Sequence, residues 1–126
     1  MHRRGVQPEE IDELEHVNNV CYLAWVNDVA IAHWNSLTSV ADRARLVWVA
    51  LRHEIDYRAE ALANDVVLVK TWTGRAVGLR YRRHTQIVRE HDNMLLAEAL
   101  TLWCPMDAKS RRPARPAPEI AALFGR

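Results

Sequence analysis

Hydrophobic positions change their spacing near residue 45, and the change separates two kinds of element. Before it lies Val20–Trp34, VCYLAWVNDVAIAHW, in which Asp28 is the one formal charge. Apolar side chains on nearly every side predict a helix that must be covered around most of its circumference rather than lie on a surface. Asn18 and Asn19 stand directly before it. Asparagine is among the preferred caps, because its side-chain oxygen accepts a first-turn N–H. Ahead of the helix, a short strand closing at Val6 and a polar loop from Pro8 to about His16 are expected.

After a polar break at residues 41–45 the period becomes two. Leu46–Leu51 is apolar on both faces, and Arg52, Glu54 and Asp56 then alternate with His53, Ile55 and Tyr57. Such a strand needs cover on both sides. Asn64-Asp65 turns into the β-branched run Val66–Thr73, and Gly74 to Gly78 has the length of a hairpin connection. Beyond it Leu79, Tyr81, Thr85 and Ile87 alternate with Arg80, Arg82, His84 and Gln86, and His91–Asn93 turns into a last strand, Leu95–Cys104. Four long strands with short links predict an antiparallel meander, and one buried helix beside it makes an α+β domain. A proline-rich tail at about residues 110–126 is expected to run extended and to end in a short helix from about Pro118 to Phe124.

Composition narrows the class. A chain of 126 residues is one domain's worth, and 49% hydrophobic with 26% charged residues excludes global disorder. Seventeen basic against 16 acidic residues leave +1, which gives no general attraction to nucleic acid or an anionic membrane. The longest apolar run, 17–34, is broken by Asn18, Asn19, Asn27, Asp28 and His33, so no membrane span is expected. With no apolar stretch behind the basic N-terminus, a cytoplasmic protein is expected. Cys21 and Cys104 sit in apolar runs and are expected as reduced, buried thiols. His33, His53, His84 and His91 lack metal-ligand spacing, and the tryptophans at 25, 34, 48, 72 and 103 fall on periodic positions expected in the core or an interface.

One stretch carries chemistry: Ile11–Trp25, IDELEHVNNVCYLAW. It resembles the opening signature of the hotdog-fold acyl thioesterases, an Asp-x-x-Gly-His-Val-Asn-Asn-x-x-Tyr run that leads into a central helix. The resemblance continues through Ile55–Glu60, Val66–Trp72 and Ala97–Trp103. It implies a hotdog fold over residues 1–126, with an antiparallel sheet wrapped around a long helix. It also implies hydrolysis of an acyl thioester, an acyl-CoA or an acyl-carrier-protein conjugate. Coenzyme A then enters as part of the substrate, with no metal or redox cofactor. By similarity to the 4-hydroxybenzoyl-CoA branch, the Asn19 amide polarises the thioester carbonyl. Asp12 acts there on the carbonyl carbon, as nucleophile or as base toward water, and His16 positions substrate or water. The physical basis is that first-turn amides are unpaired and the helix dipole adds positive potential where an oxyanion develops.

The same stretch is similar to plant acyl-carrier-protein thioesterases. Asp12 and His16 match that pattern, and Tyr57–Glu60 matches the strand that supplies a catalytic Glu60, whereas Leu14 stands where that branch has asparagine. Glu15 replaces the glycine usual before the histidine, at a position suited to left-handed backbone. Asn18, Tyr22, Arg82 and Arg83 are the residues expected to bind substrate, the arginines through coenzyme A phosphates. On the plainer reading Arg80, Arg82, Arg83 and Arg89 form the solvent face of a strand, and Asp12, Asn18 and Glu60 are a loop brace, a cap and a solvated strand end. The resemblance further implies a homodimer or homotetramer with the site at a subunit boundary, where Asp12 works beside residues of another chain, Glu60 being one candidate. A non-catalytic acyl-CoA or acyl-carrier binder and an assembly domain are the competing readings on the same fold.

Overall fold

Strand β1 (His2–Gly5) opens the chain and is followed by a 3-10 turn at Pro8–Glu10, helix α1 (Asn19–Leu37) and the short helix α2 (Val40–Arg45). Strands β2 (Leu46–Tyr57), β3 (Val66–Val77), β4 (Arg80–Arg89) and β5 (Leu95–Asp107) come next, then helix α3 (Pro118–Ala121). The structure is a computed structural model and describes residues 1–123, so the expected end of the last helix at Phe124 lies outside the described residues.

The five strands form one sheet in the order β1-β3-β4-β5-β2. The expected meander therefore holds for β3, β4 and β5 only. Strand β2 does not pair with the strand that follows it; the 58–65 link carries the chain away, and β2 flanks β5 at the sheet edge. The hairpin between β3 and β4 also differs from expectation. Strand β3 runs through Gly74 to Val77, leaving Gly78-Leu79 as the turn, with Gly78 in left-handed backbone at φ 61°. Residues 41–45 are not a simple break. Ser39 accepts the Asp42 N–H at 3.1 Å while the Asp42 carboxylate accepts the Ser39 N–H at 3.0 Å, a reciprocal cap that starts α2.

Packing divides the chain into two compact units, each assembled from three stretches. The first comprises Met1–Ile31, Ile55–Thr71 and Thr85–Ala99. In it β1 pairs antiparallel with β3, His2 opposite Val69 and Gly5 opposite Val66. Helix α1 buries Tyr22, Trp25, Val26, Val29 and Ala30, a stripe at helical spacing. Against this stripe the core gathers Val67 and Val69 of β3, Ile87 of β4 and Leu96, Ala97 and Ala99 of β5. The alternation of Val67, Val69, Thr85 and Ile87 inward is what the period-two pattern predicts. Cover on most sides of the helix is not what forms: Val20 is 70% exposed, because one sheet covers one stripe and the rest of the apolar surface stays open in the single chain.

The second unit comprises Ala32–Glu54, Trp72–His84 and the chain from Leu100 onward. Trp34 meets Trp48 edge-on at 5.6 Å, and Trp48 meets Tyr81 at 5.1 Å. Trp72 is not in the core: of the two expected places, core or interface, its exposure leaves the second, and it stacks on His84 at 5.6 Å and 18°. Gly74 belongs to that arrangement, since a β-carbon there would stand 3.0 Å from His84 Nε2. Strand β2 lacks the expected second cover, and Leu51 is 52% exposed on this edge strand.

Arg83 is the main correction to the expected solvent face of β4. It shares the inward face with Tyr81, Thr85 and Ile87 and is only 5% exposed. Its Nη2 lies 3.0 Å from His33 Nδ1, and burial pulls its pKa down to about 10. The His33 pKa is lowered by burial first and by the Arg83 charge second, and burial also lowers that of His53, whose Nδ1 lies 3.0 Å from Thr101 Oγ1. A lowered histidine pKa means that the unfolded chain takes up protons first as pH falls. Stability is therefore full above the ordinary value of 6.5 and declines below it, toward the folded-state values. Urea midpoints should fall between pH 7 and pH 5, above the carboxylate range. His33→Gln, which cannot titrate, should flatten the decline; an unchanged slope would contradict the assignment.

Candidate active site

The loop between β1 and α1 is built by its own backbone. Ile11 and Val17 pair as an isolated antiparallel bridge, and His16 pairs in the same way with Leu62. Inside the loop the Asp12 N–H donates to the His16 carbonyl at 3.0 Å, and the Glu15 N–H donates to the Asp12 carbonyl at 3.0 Å. The Asp12 carboxylate accepts the Leu14 N–H at 2.8 Å, the two-residue reach by which aspartate stabilises turns. Asp12 is thus a loop brace, as the plainer reading holds, and this bond occupies Oδ1 alone.

Glu15 adopts φ 66°, so it takes the left-handed conformation that glycine would take. A β-carbon in that region costs roughly 1–2 kcal/mol, partly offset by the extra freedom of glycine in the unfolded chain. Glu15→Gly should therefore stabilise the protein by about 0.5–1 kcal/mol with the loop unchanged. Chemical denaturation checks this, and an unchanged or lower midpoint would show that the Glu15 side chain compensates the strain.

Asp12, His16 and Glu60 come together. His16 Nδ1 lies 3.9 Å from Asp12 Oδ1 and 3.3 Å from the Val17 carbonyl, while Nε2 lies 3.8 Å from Glu60 Oε1. A carbonyl only accepts, so a hydrogen bond to Val17 requires the tautomer with its proton on Nδ1, which leaves Nε2 as an acceptor facing Glu60. Glu60 reaches His16 within one chain. At 66% side-chain exposure Glu60 is solvated, as the plainer reading holds, but it lies in the 58–65 link rather than on a strand end.

The start of α1 completes the site. The Asn18 side chain accepts the Val20 N–H at 3.0 Å and the Asn18 carbonyl accepts the Cys21 N–H at 2.9 Å. The Val17 N–H donates to the Ala61 carbonyl and the Asn18 N–H to the Glu10 carbonyl, both at 2.9 Å. From residue 17 to residue 21, Asn19 is the one position whose N–H has no partner among the described residues. Its carbonyl is occupied, accepting from the Tyr57 hydroxyl at 3.3 Å. One unspent donor at the positive end of a long helix suits a developing oxyanion.

The other expected site residues are placed as follows. Tyr22 is buried, and its hydroxyl accepts the Ala61 N–H at 2.9 Å, which anchors the residue after Glu60. Arg82 and Arg83 belong to the second unit, Arg82 exposed and Arg83 turned inward to His33. Cys21 and Cys104 are free thiols; burial, and then the Glu10 charge, pushes the Cys21 pKa up and keeps it a poor nucleophile. Sequence reasoning passed over Glu10, whose carboxylate holds Arg4, the Gln7 N–H and Trp25. The spacing from Gln7 to Glu10 was a local capping signal, but nothing local pointed to Trp25. Among the described residues no group of three His, Cys, Asp or Glu is arranged to hold a metal, and no helix is long and apolar enough to cross a membrane.

The family model described as Thioesterase-like superfamily matches residues 6–124. Among solved structures, the 1,4-dihydroxy-2-naphthoyl-CoA thioesterase from Synechocystis is similar with a TM-score of 0.85 and 19% identity, covering 98% of this chain and 93% of that one. A hypothetical protein from Staphylococcus aureus, solved in complex with CoA, gives 0.88 and 19%, covering 97% and 78%. A probable thioesterase from Escherichia coli gives 0.77 and 22%, covering 90% and 86%. At these identities the likeness establishes the fold, the α+β hotdog. No curated protein matches the sequence.

Proposed function

The chain belongs to the Thioesterase-like superfamily, and from that premise we propose that it hydrolyses an acyl thioester, with an acyl-CoA as substrate. The observation that carries this reading is the unspent Asn19 N–H at the helix start, in the same segment as the Asp12–His16–Glu60 cluster. The thioester carbonyl oxygen accepts from Asn19 N–H. Asp12 then acts on the carbonyl carbon, either as base toward water or as nucleophile through an anhydride that water opens. In both routes a C–O bond forms, the C–S bond breaks, and the thiolate leaves and takes a proton. His16, between two carboxylates, orients water or substrate and passes that proton through Nε2.

Asn18 shapes the donor by capping the helix, and Tyr22 holds Ala61, next to Glu60, in the 58–65 link. Of the two arginines expected at the phosphates of coenzyme A, Arg82 is exposed on β4 and keeps that role in the proposal, while Arg83 is turned inward to His33 and loses it. The CoA complex of the staphylococcal neighbour supports CoA over an acyl-carrier protein. We further propose that two copies associate through β2: an edge strand with exposed Val49 and Leu51 presents both unpaired backbone and apolar surface. Thiol release from a panel of aromatic and aliphatic acyl-CoAs tests the reading. Turnover of at least one substrate is expected; tight binding of all with turnover of none would make the protein a binder instead.

A further inference from the structure

We propose that Glu10 is a positioning residue that holds the donor end of α1, an inference that rests on the thioesterase reading for its catalytic consequence. Glu10 ends the 3-10 turn two residues before Asp12, and its side chain is only 13% exposed. Its Oε2 accepts from Trp25 Nε1 at 2.9 Å and from Arg4 Nη2 at 3.2 Å, while Oε1 accepts the Gln7 N–H at 2.8 Å. Arg4 also sits over the Trp25 ring, 5.0 Å from its centroid. One carboxylate thereby ties β1, the 3-10 turn and the second turn of α1 together. Charge-assisted bonds of this kind are about twice as strong as neutral ones, and the donors they satisfy are costly to strand.

The backbone of Glu10 does the selecting. Its carbonyl accepts the Asn18 N–H at 2.9 Å, with the Cys21 thiol at 3.9 Å. Asn18 N–H is thereby consumed and Asn19 N–H, one residue on, is left open. The carbonyl keeps this place because the side chain is anchored on three sides. If the anchor goes, the Asn18 amide is free to compete for the oxyanion, and the neighbouring Asp12 shifts with the loop. Misplacement of reacting groups by about 1 Å can cost ~10²-fold in rate.

Amide exchange read by NMR, together with thioesterase kinetics, tests this on the intact chain. In Glu10→Ala the Asn18 amide should exchange at least about tenfold faster, relative to the Val26 and Val29 amides deeper in the helix. In the same variant kcat should fall about 10- to 100-fold with KM within about twofold. Glu10→Gln, which keeps one acceptor, should restore much of both. If Glu10→Ala does not fold, Trp25→Phe removes one of the anchoring donors, keeps an aromatic ring, and should move both readouts in the same direction by less. An unchanged Asn18 exchange rate, or normal exchange with kcat lost equally in both Glu10 variants, overturns the proposal. Absence of hydrolysis in the wild type would instead sink the thioesterase reading, while the exchange result still decides whether Glu10 holds the helix start.

Discussion

Asp12→Asn is expected to lower kcat for acyl-CoA hydrolysis by about 10²- to 10⁴-fold, the range that a positioned base or nucleophile supplies. The substitution separates the two things Asp12 does. Its Oδ1 accepts the Leu14 N–H at 2.8 Å, and an asparagine oxygen can accept the same bond. The turn therefore survives, and stability should stay within about 0.5 kcal/mol of the wild type. What disappears is the negative oxygen that attacks carbon or deprotonates water, together with the attraction to His16 at 3.9 Å. A variant that keeps its denaturation midpoint and most of its turnover would remove Asp12 from the chemistry and leave it the loop brace alone.

Asn19→Pro should reduce kcat by about 10²- to 10³-fold, the loss seen when a single oxyanion donor is removed. Elsewhere in a helix proline breaks it, but Asn19 is the first residue of α1, where proline has no intrahelical bond to lose and its fixed φ suits the turn. The Asn19 carbonyl, which accepts from Tyr57, is retained. The substitution thus deletes one N–H and little else, and circular dichroism should show full helix content. KM should change less than kcat, because the donor acts on charge that grows in the transition state. If Asn19→Pro folds and turns over normally, the oxyanion is stabilised elsewhere.

The parts of the molecule legible in the sequence were those set by local spacing. Asn18 before an apolar segment marks the helix start, and the inward alternation through Val67, Val69, Thr85 and Ile87 marks two strands. The motif put Asp12 and His16 in one loop, and the structure sets His16 3.9 Å from Asp12 and 3.8 Å from Glu60, which the resemblance and not local spacing had named. Features that depend on distant partners were not legible. Arg83 keeps the inward phase of β4, yet its charge argued for solvent; it is buried because His33, 50 residues away in sequence, meets its guanidinium. Gly74 read as a turn residue, but it is the space that the His84 ring needs across the hairpin. Glu10 read as loop polarity because Arg4 and Trp25 have no sequence relation to it that a pattern can show. The edge position of β2 follows from the route of the 58–65 link, which carries no signature of its destination.

The pairing of His2 with Val69 bears on how the chain matures on the ribosome. Strand β1 finds its partner only after β3 has been made, and β2 pairs only once β5 has left the exit tunnel. Until β5 arrives, the Tyr22–Ala30 stripe lacks the part of its cover that Leu96, Ala97 and Ala99 supply. Long-range closures of this sort slow folding, so the nascent polypeptide carries unshielded greasy surface through most of its translation and is a natural client for chaperones.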